Sequence, residues 1–147
     1  MNGMRRLSKR GLMWLVPAFV VLLGGDCVAS AQTARVGREF DIKVGRVVTL
    51  DGGRLRVRLV RVAADSRCPV DVDCVWAGNA ELVFEVGARG WRGKQTLRLN
   101  TNASPERPGE GRYGRHTLKL VGLAPQPRSS RKLAAGRYTA TLLVSKE

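Results

Sequence analysis

RLRVRLVRV, residues 54–62, alternates arginine with an aliphatic residue through its first six positions. A period of two is that of a β-strand with one face on a core. Leu55, Val57 and Leu59 lie on one face and Arg54, Arg56 and Arg58 on the other. After Val60 the alternation slips by one, which predicts a bulge near Val60–Arg61. Upstream, Asp51-Gly52-Gly53 is a turn signal, and Val47 to Leu50 reads as extended chain. These segments predict a hairpin with one apolar and one basic face. Phe40, Ile42 and Val44 alternate with Asp41 and Lys43 and belong to the same extended region, with Gly45 marking a bulge or bend.

The same period continues downstream. Ala80, Leu82, Phe84 and Val86 alternate along residues 80–86, and Leu97 and Leu99 take strand spacing. Leu118 and Leu120 do likewise, as do Tyr138, Ala140, Leu142 and Val144 in the closing strand. Residues 102–114 are rich in proline, glycine and charge and read as the longest exposed loop. A second loop runs through Pro125, Pro127 and the Arg-Ser-Ser-Arg-Lys stretch, and residues 131–135 suit a single helical turn. Helical periodicity over a dozen residues is missing from the sequence. About six or seven short strands punctuated by glycine and proline predict an all-β domain, a single antiparallel β-sandwich of Ig-like or Greek-key type.

The chain opens with a different pattern. Arg5, Arg6, Lys9 and Arg10 precede an apolar run from Leu12 to Leu23, and Ala29-Ser30-Ala31 follows. That is the layout of a secretory signal peptide over residues 1–31, leaving residues 32–147 as one domain. The run is too short for a membrane span, which needs about 20 residues. Cys27 follows Gly24, Gly25 and Asp26 and fits a lipid-attachment pattern poorly. The expected location is therefore periplasmic or extracellular, with no transmembrane span in the mature chain and no lipid at Cys27.

Removing Arg5, Arg6, Lys9, Arg10 and Asp26 with the leader lowers the net charge from +14 to +11. A nucleic-acid partner is not expected: the basic residues are dispersed, and aromatic residues make up only 5% of the sequence, too few for a stacking platform. Anionic envelope components or an envelope protein are the expected partners. If the strand bearing Arg54, Arg56 and Arg58 neighbours Glu81 and Glu85, cross-strand pairs neutralise that face at about 0.2–1 kcal/mol each.

Two cysteines remain in the mature chain, in DSRCPVDVDCVWAGNAEL, residues 65–82. A structural zinc site needs four ligands, and the sequence holds one histidine, His116, far from this pair. Redox catalysis uses C-x-x-C at a helix start, whereas Cys68 and Cys74 have C-x5-C spacing. An even count in an exported chain predicts a Cys68–Cys74 disulfide. Its short ring shapes the loop more than it holds the fold. Pro69 stiffens the ring, Trp76 is placed to pack over the bridge, and Gly78 to turn into the next strand.

The run D-S-R-C-P, a second cysteine after four further residues, then V-W-A-G-N-A, resembles a group of small exported bacterial proteins, many of them lipoproteins, with no established activity. The resemblance centres on Asp65–Ala80 and extends more weakly to the flanking strands and to Tyr138. It implies an exported all-β domain with a bridged loop and implies no reaction. The poor lipid-attachment pattern departs from the lipoprotein members.

Asp65, Asp71 and Asp73 surround the bridge, and three carboxylates on one loop suggest a weak hard-cation site. The spacing is not that of an EF-hand, and Arg67 offers a salt-bridge partner, so paired or solvated acids and no metal are expected. No G-x-S-x-G elbow surrounds Ser66, Ser104, Ser129, Ser130 or Ser145. The reading is a non-catalytic binding or accessory module without cofactor, its contact surfaces the loops 65–79 and 102–114. The candidate residues are Asp65, Arg67, Asp71, Asp73, Trp76 and Asn79. The alternatives are an inhibitor-like protein presenting the bridged loop to an enzyme, or a minor hydrolase using His116.

Overall fold

The computed structural model describes residues 32–147. The signal-peptide reading of residues 1–31, and with it Cys27, lies outside the described residues. Among the described residues the chain forms nine strands: β1 Gln32–Thr33, β2 Glu39–Lys43, β3 Val47–Leu50, β4 Leu55–Asp65, β5 Ala80–Ala88, β6 Gln95–Asn100, β7 Glu110–Tyr113, β8 His116–Ala124 and β9 Thr139–Lys146. They make two sheets, one ordered β1-β3-β4-β5-β6 and the other β2-β9-β8-β7. No helix among the described residues is long and apolar enough to cross a membrane.

The alternating residues of both sheets meet in one core. Leu55, Val57, Leu59, Leu82, Phe84 and Val86 from the first sheet pack in the same buried cluster as Ile42, Leu118, Leu142 and Val144 from the second. In the β4–β5 ladder Val57 lies opposite Val86 and Leu59 opposite Phe84, so each inward row is apolar on both strands. The predicted hairpin exists as β3–β4, with Leu50 opposite Leu55. Its turn takes Asp51, Gly52 and Gly53 through positive φ of 51°, 64° and 85°, the region glycine adopts freely and aspartate tolerates.

Four expectations are corrected. The β2 strand does not continue into the hairpin but pairs with β9 in the other sheet, and the chain changes sheets at Gly45, whose φ is 80°. The sheets are not wholly antiparallel, because β1 runs parallel to β3. The stretch 102–114 is not all loop, since β7 closes one edge of the second sheet. Its sequence, EGRY, shows little apolar alternation because its two inner positions are Gly111, which has no side chain, and Tyr113, which packs on the core. A Cβ at Gly111 would lie 3.1 Å from one Leu97 methyl and 3.4 Å from one of Leu99, so the packing is close enough to disfavour the side chain that would have signalled a strand. The single turn expected at 131–135 falls instead at Ala135–Arg137.

The β4 strand carries two bulges where one is expected. The register shifts between Leu59 and Arg61, and again between Val62 and Ala64. The first shift turns Val62 inward, opposite Leu82; the second restores the original parity, so Asp65 comes to lie opposite the buried Ala80. A carboxylate is thereby delivered to the inner side of the sheet end.

A braced loop as candidate functional site

The inward Asp65 is met by Arg67. The guanidinium grips the carboxylate at both oxygens, Nε to Oδ1 and Nη2 to Oδ2, each at 2.8 Å. The same guanidinium donates to the carbonyls of Leu123 at 2.6 Å and Pro125 at 2.9 Å. The Tyr138 hydroxyl donates to Asp65 Oδ2 at 3.0 Å. The two side chains are only 8% and 10% exposed for Arg67 and Asp65. A buried ion pair is tolerable only when its remaining donors and acceptors are satisfied, and this one spends its spare bonds on the other sheet. Leu123 is the penultimate residue of β8 and Tyr138 precedes β9, so the pair ties the two sheets together at the base of the loop. Burial pushes the Asp65 carboxyl up, but the Arg67 hydrogen bonds and charge and the Tyr138 hydroxyl outweigh it and hold the carboxyl below its ordinary value. Burial and the neighbouring Asp65 anion push the Tyr138 hydroxyl the other way, above its ordinary value.

Above this anchor the β4–β5 ladder runs on into the loop. Ser66 N donates to Asn79 O at 2.7 Å and Cys68 N to Ala77 O at 3.3 Å. The Cys68–Cys74 disulfide closes the tip, with Cα atoms 5.9 Å apart. Asn79 fixes one flank: it donates to Asn100 Oδ1 at 2.8 Å and accepts from Asn102 N at 3.0 Å. Asn100 is itself buried, at 4% exposure. Asp71 fixes the other flank, accepting from Ser129 N at 2.9 Å and Ser129 Oγ at 2.6 Å. The Ser129 hydrogen bonds hold its carboxyl below the ordinary range. Val70 N adds a bond to Pro127 O at 3.0 Å.

The candidates therefore separate. Asp65, Arg67, Asp71 and Asn79 are structural braces, each turned to its own partner, and Asp73 is exposed. The three aspartates do not converge, and no cluster of three His, Cys, Asp or Glu able to hold a metal occurs among the described residues. Trp76 does not pack over the bridge as expected: it is 81% exposed, and Val75 beside it 90%. Val70 and Val72, in the ring itself, are 58% and 44% exposed. The cause is geometric, because a ring of so few residues is too small to fold its own side chains inward.

Of the sheet arginines, Arg58 lies opposite Glu85 at 3.9 Å, and Glu85 also takes Lys94 at 3.0 Å. Glu81 pairs with Arg98 rather than with the β4 arginines. Arg54 and Arg56 have no carboxylate within ion-pair distance among the described residues. His116 Nε2 is 3.3 Å from Asp51 Oδ2 without hydrogen-bond alignment, and Asp51 also takes Lys146 at 2.8 Å. No serine hydroxyl is hydrogen-bonded to His116 among the described residues.

Residues outside the candidate set complete the site: Tyr138, Asn100, Ser129 and Val75. Tyr138 carries a legible signal, because a tyrosine on an inward strand position requires a polar partner for its hydroxyl.

With the tip anchored on both flanks, the disulfide is one brace among several. Replacing Cys68 and Cys74 together by serine is expected to lower unfolding free energy by about 2 kcal/mol, the loop-closure value for so short a ring. Urea melts of the two proteins measure it. A variant that no longer folds would mean that the bridge, not the ion pair, holds this end of the molecule.

Compared with known proteins, the chain matches no family model, no curated protein and no solved structure.

Proposed function

We propose that this chain is a non-catalytic binding module, an exported β-sandwich that engages a protein partner at the cell envelope through the tip of the loop 65–79. The observation that carries the reading is the exposure of Val75 and Trp76 on a segment pinned from beneath by a buried ion pair and closed by a disulfide. A soluble domain rarely displays a tryptophan and several valines side by side without a partner for them. Tryptophan leads the residues that dominate interface energetics, and a loop already held in one shape loses little entropy on binding. The disulfide and the apolar leader both suit an oxidising compartment outside the cytoplasm. The resemblance to small exported bacterial proteins agrees with that placement. The convex, stiff tip also favours a second reading, an inhibitor whose bridged loop enters the cleft of an envelope enzyme.

The test is capture from envelope extract on immobilised protein, followed by affinity measurement with the captured partner. Trp76→Ala is expected to weaken binding by about thirtyfold or more, the scale of a hot-spot truncation. Val121→Ser, which alters an exposed valine on β8, is expected to leave it unchanged. The same partner retained at equal affinity by both variants would sink the reading. Loss of the partner's enzymatic activity on binding would select the inhibitor form.

A further inference from the structure

The loop between β8 and β9 encloses a hollow of about 380 Å³. Four cations line it, Arg128, Arg131, Lys132 and Arg137, with Pro125 and Leu133 forming apolar wall. None of the four has a carboxylate within ion-pair distance among the described residues. The nearest acids are committed elsewhere. Asp71 accepts both Ser129 bonds, and its charge reaches Arg128. Asp65 lines the neighbouring hollow, which Arg131 and Lys132 share, but Arg67 holds both its oxygens.

The frame of the hollow is preformed. Arg131 N donates to Arg128 O at 3.2 Å and Arg137 N to Ala134 O at 2.9 Å. Leu133 packs on the core, and the Val70–Pro127 and Asp71–Ser129 bonds sew the rim to the bridged loop. Gathering like charges around a concavity is unfavourable in the free protein and favourable once an anion enters, because a hollow with low-dielectric walls focuses the field. Three of the four cations are arginines, whose planar fork matches the oxygens of a phosphoryl group.

We propose that this hollow binds a phosphoryl group carried on a partly apolar molecule, with Arg128, Arg131 and Arg137 on the phosphate oxygens and Leu133 against the apolar part. Neither Val75 nor Trp76 lines the hollow, and the proposal does not depend on how that tip is used. Lipid headgroups and soluble organic phosphates both carry this chemistry, and the experiment has an arm for each.

The full mature chain is titrated with phenyl phosphate while backbone amide shifts are followed, and is floated with phosphatidylcholine vesicles with or without phosphatidic acid. Phenyl phosphate is expected to shift the amides of residues 128–137. The triple variant R128Q/R131Q/R137Q is expected to lose more than about tenfold in affinity, since each charge-assisted bond is worth that much. The triple R54Q/R56Q/R58Q removes the same charge from the β4 face and is expected to bind as the parent does. Flotation that requires phosphatidic acid and fails for the loop triple assigns a lipid headgroup; phenyl phosphate binding without flotation assigns a soluble phosphate. Equal loss in both triples would show that net charge alone attracts the anion and would overturn the site, as would unshifted 128–137 amides with no flotation.

Discussion

Replacing Arg67 by alanine is expected to lower unfolding free energy by about 3–5 kcal/mol, the cost of removing one partner from a buried ion pair. The substitution removes both guanidinium bonds to the Asp65 carboxylate on the inner side of β4, leaving it the residue-67 amide and the Tyr138 hydroxyl, and removes the guanidinium bonds to the Leu123 and Pro125 carbonyls. Acid distinguishes this cause from lost packing. In the parent, Asp65 has a lowered folded pKa, so its contribution is complete above the unfolded value near 3.9 and is lost as pH falls through the folded value. In the variant the guanidinium is gone while burial stays, so the carboxyl rises from its value in the parent and its protonation costs the variant less than it costs the parent. The stability gap between parent and variant is therefore expected to be widest at neutral pH and to narrow below about pH 4. Urea melts at the two pH values measure it. A gap of constant width would mean that the ion pair contributes nothing beyond the bulk of the side chain.

The second large effect is expected at Gly78. Its φ is +68°, and a Cβ there would fall on the Ser66 carbonyl oxygen and within 2.8 Å of Arg67 Cα. Those are backbone atoms of the loop stem, held by the Ser66–Asn79 and Cys68–Ala77 bonds, so they cannot give way cheaply. Gly78→Ala is expected to cost about 2–5 kcal/mol, combining left-handed strain of about 1–2 with overpacking of about 1–3. Gly52→Ala is the control: its φ is +64°, but nothing lies within 4 Å of the added carbon, so it carries the left-handed strain alone, about 1–2 kcal/mol. Thermal melts of both variants separate the two contributions. Equal losses would show that the stem of the loop is not closely packed.

Much of the fold is legible because long stretches of the core rows of both sheets are apolar alternations. Leu55-Val57-Leu59 and Leu118-Leu120 are written in their residues and lie buried in the structure. The arrangement fails to show where the signal is missing for a physical reason. Gly111 helps hide β7, because Leu97 and Leu99 crowd the place of the side chain that would reveal it. The second bulge in β4 falls at Val62-Ala63-Ala64, where small apolar residues suit either face, so the inward turn of Asp65 is not written in the alternation. The cysteine pairing is legible from count and context. The anchoring of the loop is not, because it rests on Leu123 and Pro125 carbonyls about 56 and 58 positions from Arg67. The basic hollow reads only as a polar loop until β8 and β9 bring its ends together.

The central claim is that the tip carrying Val75 and Trp76 is exposed and yet held in one shape. Backbone ¹⁵N relaxation over residues 66–79 of the oxidised protein tests it most directly. The account predicts order parameters at Val75 and Trp76 close to those of β4 and β5, at about 0.8 or above. Values below about 0.6 at those two residues, with rigid strands beside them, would contradict it.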